Sequence, residues 1–117
     1  FKARMLETDP KLGDFNYGPE PYDAVIISAL AVEEAGTDGA EFANKINGIT
    51  RDGEKCTDYA GCLALIKDGT DIDYDGASGP LEFSGNGEPT QASYGILEFG
   101  SNGCEGTKEC IDNDKTK

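Results

Sequence analysis

The chain has 117 residues, enough for one domain with a single modest core, because a chain of this length buries about two-thirds of its unfolded surface. Its 23 acidic against 10 basic residues give a net charge of -13, and it holds 16 glycines but neither His nor Trp. That charge excludes a nucleic-acid partner, whose phosphates need clustered Lys and Arg. The absent His removes Ser-His-Asp, Cys-His and His-ligated zinc chemistry.

In chain order, residues 1–8 read as a short helix with Phe1, Met5 and Leu6 along one edge. Asp9-Pro10 ends it, since the residue before Pro avoids the helical region. An opening Phe1 in place of Met is expected of a processed product, an engineered piece or a fragment of a longer chain. The spacing next predicts a helix over Pro21–Ala35, with Pro21 tolerated in the first turn and Gly36 as C-cap. Between Ala24 and Val32 only Ser28 is not apolar. This run is far short of the roughly 20 residues that span a bilayer, and it predicts a helix buried on most sides against a sheet or between layers. The rest of the chain offers too little surface to cover such a helix, so the isolated chain is expected to self-associate or expose an apolar patch.

A second helix is expected from the capping-box spacing of Asp38 and Glu41, with Phe42, Ile46 and Ile49 on one face and Gly48 as its end. A third begins near Thr57 or Asp58, turns Tyr59, Cys62, Leu63 and Ile66 inward, and stops at Gly69. The pattern then changes to strand: Leu81 and Phe83 alternate with Glu82 and Ser84, and Ser84-Gly85-Asn86-Gly87 has turn chemistry. Tyr94–Phe99 is the expected hairpin partner. The fold class is therefore α+β, about three helices followed by a β-hairpin. Residues 1–99 form the domain, and 100–117 form an irregular, Cys-containing tail that frays after Cys110.

The four cysteines, Cys56, Cys62, Cys104 and Cys110, form two pairs of equal spacing, neither a Cys-x-x-Cys. An even count in a small, Gly-rich acidic chain suits disulfides and an oxidising compartment. Three connectivities are open. The equal spacing favours Cys56–Cys62 and Cys104–Cys110, each closing a short loop worth roughly 2–2.5 kcal/mol.

The order of pieces carries a resemblance. Tyr22-Asp23-Ala24-Val25 opens an apolar helix ending Glu34-Ala35-Gly36, and a capped helix follows. Then come Tyr74-Asp75-Gly76-Ala77-Ser78-Gly79-Pro80-Leu81-Glu82-Phe83, Asn86-Gly87-Glu88-Pro89 and a strand. Over residues 1–99 this resembles the C-terminal segment of the type I periplasmic solute-binding proteins of ABC importers, the branch of branched-chain amino acid and amide receptors. The resemblance implies a parent with two α/β lobes and an amino-acid-like solute clamped between them. It also implies an ABC permease as partner, an extracytoplasmic location and no cofactor. In that fold the start of the long helix lies near the cleft, which makes Tyr22 and Asp23 the candidate ligand-binding residues.

A rival constellation runs through the same segment. Asp71, Asp73, Asp75, Gly76 and Glu82 fit the D-x-D-x-D-G-x5-E pattern of an EF-hand, in which alternating carboxylates converge on Ca2+. Pro80 and the Phe-Ser-Gly-Asn-Gly run after Glu82 oppose the exit helix such a loop needs. A calcium-binding extracellular interaction module is thus the alternative reading. No catalytic residues stand out, because without His only carboxylate pairs remain and acidic residues are abundant everywhere.

Overall fold

The computed structural model describes residues 1–92 together with the backbone of 98–99 and 111–112. Helix α1 spans Lys2–Thr8, and Asp9 turns extended ahead of Pro10 (φ -133°, ψ 95°). Helix α2 spans Pro19–Ala35, two residues longer at its start than expected. Pro19 and Pro21 both fit its first turn, where the missing N–H groups have no helical partner. Gly36 closes it in the left-handed conformation (φ 68°), donating to the Val32 and Glu33 carbonyls. The expected burial on most sides is not what the chain builds. Asp23, Ile27, Leu30 and Ala31 are buried in one stripe, while Val25 is 68% exposed on the other side. Among the described residues one layer lies beneath α2, and nothing covers the rest of its apolar surface.

The second helix is also shorter than expected. Residues Ala40–Asn44 form a 3₁₀ helix, and no capping box forms; Thr37 Oγ1 instead accepts from the Gly39 N–H at 3.1 Å. The tertiary structure draws the following residues away. Tyr74 N–H donates to the Ile49 carbonyl at 2.8 Å, and Thr50 bridges Asp73, so residues 49–50 join the sheet edge rather than prolong a helix. Ile49 reaches the core, with Phe42 and Ile46 packed against it.

The sheet is where sequence and structure differ most. Strands β1 (Glu54–Cys56) and β2 (Ile72–Gly76) are parallel, in register Glu54↔Ile72, Lys55↔Asp73 and Cys56↔Tyr74. They are joined through α3 (Tyr59–Lys67), which starts as expected with Asp58 capping the Gly61 N–H at 3.0 Å. This is a β-α-β unit. β3 (Gly79–Pro80) pairs antiparallel with β2. The acidic run 71–76, read as a loop, is mostly the central strand: Ile72 and Tyr74 enter the core under α2, and Asp73 and Asp75 alternate to the other side. Residues 94–97 of the expected hairpin partner lie outside the described residues. Phe83 bridges Pro89 across the Ser84–Gly87 turn, where Gly87 adopts φ 79° and donates to the Ser84 carbonyl at 2.9 Å. This nearer partner closes the shorter loop. β4 (Glu98–Phe99) pairs antiparallel with β5 (Ile111–Asp112), so the tail carries a strand. The remainder of 93–117, with Cys104 and Cys110, lies outside the described residues.

The α+β class holds, and so does the first of the two expected disulfides: Cys56 and Cys62 are bonded. Among the described residues no helix is long and apolar enough to cross a membrane.

Candidate ligand cleft

The two adjacent residues singled out at the head of α2 have different surroundings. Asp23 is 1% exposed, and its carboxylate is fully engaged within the chain. Oδ1 accepts from the Tyr74 hydroxyl at 2.9 Å and the Ala77 N–H at 2.8 Å. Oδ2 accepts from the Ser78 N–H at 2.7 Å and from the Ser78 hydroxyl. A buried carboxylate is stable only when its lone pairs are met this way. With four donors meeting its two oxygens, the Asp23 carboxylate fixes the turn at 76–78. The close approach demands glycine at the turn, because a Cβ on Gly76 would overlap the Asp23 carboxylate. The Tyr74 hydroxyl is pushed well above its ordinary value, chiefly by burial and then by its bond to Asp23.

Tyr22 is half-buried and forms an aromatic wall. Its ring lies 5.2 Å from that of Phe1, centroid to centroid. Arg4 donates to the Tyr22 hydroxyl at 3.3 Å and stands 5.6 Å from its ring centroid. Beside this wall opens a cleft of about 270 Å³. Thr57 and Asp58 line its second side and the turn Asp75–Ala77 its third, with Gly79 and Pro80. These residues follow the carboxyl ends of parallel strands β1 and β2, the place where α/β sheets receive ligands. Arg4 on one wall and Asp58 on another line the same space, groups of opposite charge that can orient a small polar molecule, whereas the Asp75 carboxylate is held by Lys55 Nζ at 3.0 Å. An adjoining groove of about 410 Å³ shares Phe1, Arg4 and Tyr22 but is mostly apolar, and it takes no residue from the strand ends.

Arg4, Thr57 and Asp58 are polar cleft residues that sequence reasoning did not assign to ligand binding. Thr57 and Asp58 carried a signal only as the start of a helix. Arg4 carried none, because its place beside Tyr22 depends on contacts between distant elements.

The acidic motif has its own partner. Asp73, Asp75 and Glu82 converge on Nζ of Lys55 at 2.8, 3.0 and 3.3 Å. Their bonds, that of Asp73 first and then that of Asp75, hold the Lys55 ammonium above its ordinary value. The cation at the centre of three of the motif's four carboxylates is therefore an ammonium of the same chain. Asp71 is exposed and takes no part in this cluster. After Glu82, held at φ 44°, the chain enters a turn and not a helix. Among the described residues no group of three or more His, Cys, Asp or Glu is placed to hold a metal ion. Asp73 Oδ1 is buried without a hydrogen-bond partner.

The model of the family described as "Receptor family ligand binding region" matches residues 2–102, and the chain belongs to that family. Its fold is of the type I periplasmic-binding kind, and the family is a ligand-binding, non-enzymatic one. No curated protein and no solved structure matches the chain.

Two predictions follow from the Asp23 clamp. Asp23→Ala leaves four donors without their acceptor, that of Tyr74 buried and those of Ala77 and Ser78 partly so, and lowers stability by about 3 kcal/mol or more. Gly76→Ala disrupts the same bonds. The double variant therefore loses much less than the sum of the singles, read from urea unfolding midpoints; additive losses would show that the two residues act separately. The second prediction concerns pH. Because folding raises the Tyr74 value above the ordinary one near 10, its contribution is fully present below pH 10 and is lost as pH rises through the folded value. The melting temperature is expected to fall above pH 10, and Tyr74→Phe, though less stable at neutral pH, is expected to fall less steeply there.

Proposed function

We propose that the chain supplies one wall of the ligand cleft of an extracytoplasmic solute-binding receptor, one that delivers amino acids or related small solutes to an ABC importer. The observation that carries this reading is the pairing of opposite charges across the strand-end cleft. Arg4 suits a solute carboxylate, Asp58 suits its ammonium, and the Tyr22 ring suits its apolar part. Asp23 serves the site indirectly, by fixing the turn that bears Asp75 to Ala77. The Cys56–Cys62 disulfide fits an oxidising compartment, and the family's typical extracellular or periplasmic setting supports the same location. The permease would meet the assembled receptor, not this wall alone.

A cleft closed from one side only leaves a solute largely hydrated while the full loss of translational freedom remains. Titration of the chain with L-leucine, L-glutamine, L-glutamate and acetamide, followed by amide NMR, is expected to shift Tyr22, Thr57, Asp58, Asp75 and Ala77. The dissociation constants should be no tighter than about 1 mM, roughly 4 kcal/mol. Arg4→Ala should abolish the shifts given by the three amino acids. Absence of shifts at every cleft amide, or micromolar affinity, would overturn the reading of the cleft as one wall.

The outer side of α2 bears on the chain's own association. Ala24, Val25 and Ser28 are exposed there, with Ala29 and Val32 half-buried. The isolated chain is expected to self-associate through this surface, and Val25→Glu should lower the sedimentation mass while leaving the far-UV circular dichroism unchanged. A monomeric wild-type chain would disprove this.

A further inference from the structure

Each wall of the cleft is held by a different device. Asp23 fixes the Gly76–Ser78 wall through its four hydrogen bonds. Ring contact between Phe1 and Tyr22 fixes the aromatic wall. The third wall, Thr57 and Asp58, is exposed and has neither kind of support. These two residues are the whole connection between the end of β1 at Cys56 and the start of α3 at Tyr59. β1 is three residues long and lies at the edge of its sheet, paired on one side only. Among the described residues, the cap from Asp58 to the Gly61 N–H is the one side-chain hydrogen bond made by either wall residue.

The disulfide spans this connection. Cys56 is the last residue of β1, Cys62 lies in the first turns of α3, and both are buried in the core at 8% and 0% exposure. Everything between the two sulfurs is therefore tied to the core at both ends. The core contacts of α2 with β2, through Ile27, Leu30, Ile72 and Tyr74, do not run through this bond.

We propose that the Cys56–Cys62 disulfide is the positioning element of the β1–α3 wall, setting Thr57 and Asp58 against the cleft; this rests on reading the cleft as the solute site. The crosslink pre-organises the wall, so that a solute need not order it on binding. Its removal frees the connection locally and leaves the Asp23 clamp intact.

The test compares wild type with Cys56→Ala/Cys62→Ala by site-resolved amide exchange and by NMR titration with L-leucine. Exchange over residues 57–61 is expected to speed up by about tenfold or more, beyond any change at Ala77 and Ser78, as local opening requires. The L-leucine shifts at Thr57 and Asp58 should shrink severalfold while that at Ala77 persists. Leu65→Ala, which weakens α3 packing without touching the connection, should change exchange without this local contrast. If the double alanine variant does not fold, Cys56→Val/Cys62→Ala restores part of the lost volume and is read in the same way. Unchanged exchange at 57–61, acceleration spread evenly over the chain, or failure of both variants to fold would overturn the proposal. A wild-type chain that gives no L-leucine shift would instead overturn the reading of the cleft, and the exchange comparison would still decide the role of the disulfide.

Discussion

A single carboxylate joins the two halves of the described structure. Asp23 sits in the first turns of α2, yet every donor it accepts from lies more than fifty residues later, in β2 and the turn after it. The bond network fixes the depth at which α2 lies on the sheet, the path of the chain through Gly76–Ser78, and the direction in which Asp75 and Ala77 face. Unmet buried donors cost about 1–3 kcal/mol each, so the arrangement is close to all-or-none. The glycine at 76 is a consequence, since only its missing Cβ lets the strand end approach the carboxylate.

The remaining parts of the cleft depend on that placement. With β2 set, its parallel pairing with β1 brings Thr57 and Asp58 to the same end of the sheet as Gly76. On the sheet's other side the same pairing puts Lys55 opposite Asp73, where one ammonium serves three carboxylates. Coulomb attraction of this kind is modest at the exposed ammonium and greater at Asp73, whose side chain is 5% exposed. The cluster thus ties β1, β2 and the segment leaving β3 together, on the side of the sheet away from Tyr74.

Much of this was legible in the residues. Pro19, Pro21 and Gly36 punctuate α2, Asp58 and Gly69 bound α3, and the local cysteine spacing pointed to the Cys56–Cys62 bond. Tyr22-Asp23 and Tyr74-Asp75-Gly76-Ala77-Ser78 were singled out as separate pieces of one pattern, and in the structure Asp23 is bonded to the second piece. The strands were not legible. Ile72-Asp73-Tyr74-Asp75 alternates as a strand should, but its carboxylates read as a solvated or cation-binding loop because the sequence does not show Lys55 standing across from the acids, and Glu54-Lys55-Cys56 shows no alternation. The acidic run consequently looked like a cation loop.

What the sequence by itself determined was local: where helices start and stop, which turn needs glycine, and which charges and chemistries are absent. These follow from φ/ψ preferences and capping, which act over a few residues. Only the tertiary structure decided that Asp23 faces inward and is saturated, that Tyr22 walls a cleft with Arg4, and that the acidic motif closes on Lys55. It also decided that residues 49–50 leave a helix for the sheet edge. Each of these outcomes depends on partners 18 to 55 positions apart along the chain. Burial makes such contacts strong, and no local pattern encodes which distant group will be the one that meets them.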